Sequence, residues 1–221
     1  GLVTGMNGWN FIDWTRVDDR HADGAVQGWY LEALEHSAKL AQAVGDRRGF
    51  RDDRRRAAQL RRSLARLYWS TAKQAFRKYR PGSPDALPDT DPELLGQHEN
   101  FLFSLLGVAT PTQRRRALDA MRGVTGRYLP SIGDYQSDFV SDHHGNYVGE
   151  SCIRVGSPFW SYYALLALME SGRVAEALEY IRFGWGLMLE FGATSCWEMW
   201  DRHTSQCHGW SSAPAMILPA Y

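Results

Sequence analysis

The sequence predicts an all-α fold of helical hairpins, arranged as a solenoid or a closed toroid. Three observations predict it. Apolar residues recur at helical spacing in long segments, these segments pair off across short turns, and longer irregular links separate the pairs. Clean strand alternation is scarce. No sequence repeat of fixed period accompanies the hairpins, which disfavours an open repeat array. With 221 residues the chain can bury the core of one domain, or of part of a larger one.

In the first hairpin, Val26, Trp29, Ala33, Leu40 and Val44 recur at helical intervals from Ala25 to Val44, and Gly45 is the stop. A second helix is predicted from about Arg51 to Lys78. It carries Ala57, Leu60, Leu64, Leu67, Thr71 and Ala75 on one face and arginines on the other. Pro81, Gly82, Pro84, Pro88 and Pro92 then enforce a loop. The second pair begins with a helix over Leu94 to Val108. Thr110-Pro111-Thr112-Gln113 reads as a capping box with proline at the first helical position, opening a helix to about Arg127. Ser157-Pro158 caps the third pair, which runs through Trp160, Tyr163, Leu166 and Met169. It turns at Ser171-Gly172 and resumes from Arg173 to about Leu189. Ser211 to Leu218 opens another helix.

Composition removes several classes of partner. The formal net charge is +0, which argues against nucleic acid or an anionic membrane surface. The arginines between Arg47 and Arg66 read as a solvated helix face. No run is long and apolar enough to span a bilayer. Three cysteines are too few, and odd in number, for a disulfide framework, so both cytoplasmic and secreted settings stay open. No charged-then-apolar leader is visible after Gly1, and a native start, with or without a signal peptide, is expected upstream.

The candidate chemistry concentrates in GATSCWEMWDRHTSQCHGW, Gly192 to Trp210. Glu198 lies between Trp197 and Trp200, with His203, His208 and Trp210 following. An indole face covers the apolar side of a pyranose, and a partly dry carboxylate works as an acid or base. The plain alternative is a surface glutamate paired with Arg202. Asp13 in GWNFIDW is a second carboxylate among aromatics, with Trp9, Phe11 and Trp14 around it; a catalytic partner or sugar-hydroxyl contact fits it as well as a structural cap does. Asp134, Asp138, Asp142 and Glu150 are further acids in the link after Leu129. Cys196, His203, Cys207 and His208 match no zinc spacing, and Asp142-His143-His144 reads as a polar loop. There is no glycine-rich phosphate loop and no serine elbow. No cofactor and no metal ligand set is expected, and ion binding stays open.

ATSCWEMW followed by SQCHGWSSAP resembles the catalytic domain of bacterial and fungal α-L-rhamnosidases, six-hairpin glycosidases. GWNFIDW, GQHENFLFSLLGVAT and SPFWSYYALLALMESGRVAEALEYIRFGWGLML resemble the same family in the same order. The resemblance implies an (α/α)6 barrel and an inverting exo-glycosidase that removes terminal α-L-rhamnose. It implies that Glu198 is the general base, that His208 contacts the sugar, and that Asp13 and Trp14 match the family's Asp-Trp pair. Trp197, Trp200 and Trp210 complete the expected aromatic wall. The family's general acid lies in a segment upstream of that pair. Residues 1–221 are therefore expected to be the C-terminal portion of one catalytic domain, truncated at both ends and inactive alone, with the rest of that domain as its partner. Two other readings remain open: a toroid hydrolase of another sugar, such as an unsaturated uronyl hydrolase or a glucosidase, and a non-catalytic carbohydrate-binding or scaffold fragment.

Overall fold

The computed structural model describes residues 1–4, 12–13, 22–82, 91–125 and 152–221. Its helices are α1 (Gly24–Ala43), α2 (Arg47–Tyr68), α3 (Gln97–Leu105), α4 (Pro111–Thr125), α5 (Pro158–Glu170), α6 (Val174–Glu190) and α7 (Ala213–Ala220). Each hairpin packs on itself, α1 on α2, α3 on α4 and α5 on α6. The first helix of each hairpin also packs on the first of the next, so α1 touches α3, α3 touches α5, and α5 touches α7. That is an inner row and an outer row, an incomplete toroid of helical hairpins.

Local chemistry sets the helix starts. Asp23 caps α1, accepting from the amides of Ala25 at 2.7 Å and Val26 at 3.3 Å. Asp46 caps α2 in the same way, and Ser157 caps α5 with proline at the first position. The predicted capping box forms: Thr110 N donates to Gln113 Oε1, and Gln113 N to Thr110 Oγ1. Gly45, Gly172 and Gly192 follow α1, α5 and α6 in the left-handed conformation, where a side chain would be strained.

Two expectations are corrected. The second helix ends at Tyr68, ten residues before the predicted Lys78. Trp69–Ser70 (β1) instead pairs antiparallel with Ala75–Phe76 (β2), across a turn in which Gln74 has φ 55°. Thr71 and Ala75 therefore extend no helix face. Asn100 fixes this turn by bonding both the N–H and the C=O of Phe76. Likewise the third helix starts at Gln97, because Leu95–Gly96 (β3) pairs parallel with Cys152–Ile153 (β4).

The buried face of α1 also differs from the stripe predicted for it. Leu40 and Val44 are 66% and 72% exposed, while Ala25, Gly28, Leu31, Leu34, Ala38 and Ala41 face the core. Small residues decide this. A Cβ on Gly28 would stand 2.4 Å from Leu102 Cδ2, so α1 and α3 approach through a position where a bulky residue cannot fit.

Candidate functional site

Residues 193–208 form a loop with two arms. His208 N donates to Cys196 O at 2.8 Å, and Glu198 N donates to Ser205 O at 2.8 Å. Ser195 Oγ adds a bond to Gln206 O. At the tip, Asp201 Oδ1 accepts from His203 N at 2.9 Å, and Asp201 O from Thr204 Oγ1 at 2.8 Å.

Alternation along the first arm seats the loop. Trp197 is 2% exposed, Met199 3% and Trp200 6%, whereas Glu198 is half-buried. Trp200 meets Trp185 of α6 edge-on, with centroids 5.1 Å apart. It also covers Gly184, where a Cβ would stand 2.7 Å from the indole. Trp185 Nε1 in turn donates to Ser211 O at 2.8 Å, tying α6 to the short 3-10 turn Gly209–Ser211. Trp197 and Trp200 are thus packed into the core, and they hold the backbone on either side of Glu198. Arg202 lies over the Phe191 ring, 5.7 Å from its centroid.

His208, on the second arm, is half-buried with its ring 4.4 Å from that of Trp210. Trp210 is 41% exposed and rests on Phe159 in the first turn of α5, with centroids 5.5 Å apart. The backbone ladder thus carries Glu198 and His208 on opposite arms, with Trp210 beside His208 and anchored at the start of α5.

Asp13 reaches the same helix start from the other side. Its Oδ2 accepts from Gly156 N at 2.8 Å and lies 2.7 Å from His98 Nε2. The neighbouring carbonyl of Ile12 accepts from Trp160 Nε1. Asp13 is 5% exposed. Burial holds the His98 imidazole below its ordinary range, against the upward pull of Asp13, so the neutral ring donates through Nε2. Trp9, Trp14, Asp134, Asp138, Asp142, His143, His144 and Glu150 lie outside the described residues. Among the described residues no group of three or more His, Cys, Asp and Glu could hold a metal ion.

Sequence reasoning missed His98, Lys78, Asp23 and Glu99, all fully buried. One signal was available. Gln97-His98-Glu99-Asn100 is a polar run inside the otherwise apolar LLGQHENFLFSLL, and four consecutive polar residues there require partners from elsewhere.

No protein-family model and no curated protein sequence matches the chain. Solved structures do. A rhamnosidase from Klebsiella oxytoca with rhamnose bound superposes with a TM-score of 0.70 at 21% identity, over 100% of this chain and 38% of that one. A GH78 family rhamnosidase of Bacillus sp. GL1 superposes with a TM-score of 0.68 at 23% identity, over 97% of this chain and 21% of that one. The chain shares the helical fold of these enzymes and spans well under half the length of each.

Proposed function

We propose that the chain forms part of an inverting exo-glycoside hydrolase that removes terminal α-L-rhamnose. The observation that carries the reading is the 193–208 loop. Two buried indoles and a ladder of backbone bonds fix a half-buried carboxylate, Glu198, on the arm opposite His208 and Trp210. The shared fold with rhamnosidases, one of them solved with rhamnose, supports the sugar class.

In this reading Glu198 takes a proton from the attacking water. Trp210 covers the apolar face of the sugar ring, and His208 contacts a hydroxyl. Asp13 and Trp14 complete the sugar contacts, Asp13 being oriented by His98 and Gly156 N. Trp197 and Trp200 serve the wall from behind, by holding Glu198 in place. An inverting mechanism needs a second carboxyl group about 6.5–9.5 Å from the base, so activity belongs to the whole protein.

The test is Glu198→Gln in the whole protein, assayed on an aryl α-L-rhamnoside. We expect kcat to fall by about 10²–10⁴-fold with KM little changed. Near-wild-type turnover would remove Glu198 from the mechanism. Product released with retained anomeric configuration would rule out inversion. Turnover of an unsaturated uronide or a glucoside in preference to the rhamnoside would reassign the sugar.

A further inference from the structure

The first turn of α3 is tied to three separate segments. Gln97 Oε1 accepts from Val155 N at 3.0 Å, and His98 meets Asp13 at 2.7 Å. Asn100 bonds both backbone groups of Phe76 at 2.8 Å. Glu99 faces Lys78 Nζ at 3.7 Å, and the same ammonium lies 2.7 Å from Asp23 Oδ2 at the start of α1. Lys78, Asp23 and Glu99 are all 0% exposed.

Charge counting makes this cluster uneven. Lys78 and Asp23 already form an ion pair, and Asp23 Oδ1 is engaged in capping α1. An ionised Glu99 adds a negative charge that nothing fully buried beside it balances, at a cost of several kcal/mol in a low-dielectric interior. Nor can the carboxylate step aside. A Cβ on Gly96 would stand 2.5 Å from Glu99 Oε1, and one on Gly24 would stand 2.8 Å from Glu99 Cβ. Backbone closes the side chain in from both helix starts.

We propose that the Lys78–Asp23–Glu99 cluster is a proton-linked fastener. The first turn of α3, and with it the Asp13–His98 contact, is seated while Glu99 is neutral and loosens when Glu99 ionises. Burial raises the Glu99 carboxyl to about 7, against the lowering effect of Lys78 and of the Gly96 and Glu99 amides, and Asp23 adds to the rise. Lys78 is held above its ordinary range by Asp23 and Glu99, which together outweigh its burial, so it stays charged throughout. Tyr68 is pushed up by burial and by both carboxylates, and donates to Ala22 O, so it adds no charge. His98 is neutral, and Arg80 acts on Tyr68 from outside the cluster. The proposal stands whatever sugar the protein cleaves.

The sign follows from linkage. The folded chain holds the Glu99 proton up to about pH 7, whereas an unfolded glutamate releases it near 4.5. The folded state binds more protons between those values. The stability due to neutral Glu99 is full below the lower value and is lost as pH rises to the upper one. The experiment compares thermal midpoints of the full chain and of Glu99→Gln from pH 4.5 to 8. Subtracting the variant cancels the other titrating groups. We expect the difference, wild type minus variant, to fall by several degrees across that window and to level off above it. A difference independent of pH would overturn the proposal. Should the variant fail to fold, carboxyl carbon NMR of the wild type decides. One glutamate titrating near neutrality supports the fastener, and all glutamates titrating below pH 5 refute it. Amide exchange in residues 97–100 that speeds up above pH 7, relative to α2, is the structural readout.

Discussion

The first turn of α3 and the 193–208 loop hold polar residues to opposite ends. In the turn, Gln97, His98, Glu99 and Asn100 are fully buried, and their side chains are engaged with distant segments. In the loop, backbone bonds and buried indoles do the holding, and the side chains of Glu198 and His208 stay half-exposed. Polar groups used as ties are consumed by the fold. Polar groups meant for a ligand must be held by something else, here Trp197, Trp200 and the ladder between the arms. Both regions converge on the start of α5, through Gly156 bonded to Asp13 and Phe159 packed on Trp210.

The largest effect expected from breaking this contrast comes at Lys78. Lys78→Met keeps most of the side-chain volume but strands Asp23 and Glu99 without a cation. Removing one partner of a buried pair costs about 3–5 kcal/mol. Urea unfolding at pH 7 measures it, and the loss should shrink at pH 5, where Glu99 is protonated. A cost below about 1 kcal/mol would mean that the cluster is hydrated and the fastener absent.

Asn100→Ala comes next. It removes both bonds to Phe76 and one to Gly96 O, leaving a buried N–H and two carbonyls short of a partner. Each such group costs about 1–3 kcal/mol, with partial relief if the β1–β2 turn relaxes. Urea unfolding gives the total, and amide exchange should localise the loss to Ala75 and Phe76. Exchange spread evenly over the chain would show that Asn100 does not act on that turn in particular.

The two regions also differ in how far the sequence revealed them. The loop was legible because its residues lie close in the chain: Trp197, Glu198 and Trp200 are neighbours, and His208 follows within ten residues. Helix starts were legible for the same reason, since Ser157-Pro158 and Thr110-Gln113 act locally. The α3 turn was not, because each partner is remote: Asp13 is 85 positions from His98, and Val155 is 58 from Gln97. Periodicity carried α2 too far for a related reason. The residues that end it at Tyr68 are held by Asn100, 24 positions beyond Phe76, and no local pattern reports that. In α1, helical spacing was right but the face was wrong, because glycine and alanine, which score as weakly apolar, permit the closest approach to α3.

The smallest effect on stability is expected at Glu198, and there smallness is the point. Its backbone N–H bonds Ser205 O whatever side chain follows, and the indoles on either side supply the packing. Glu198→Gln should therefore change unfolding free energy by no more than about 0.5 kcal/mol, while removing the base from the proposed reaction. Trp210→Ala sharpens the same contrast. That indole is 41% exposed and rests only partly on Phe159, so its loss should cost less stability than truncating the buried Trp200, where about 3–5 kcal/mol is at stake. If Glu198→Gln proved as destabilising as Lys78→Met, Glu198 would be a structural tie like the residues of the α3 turn, and the division of labour between the two regions would fail.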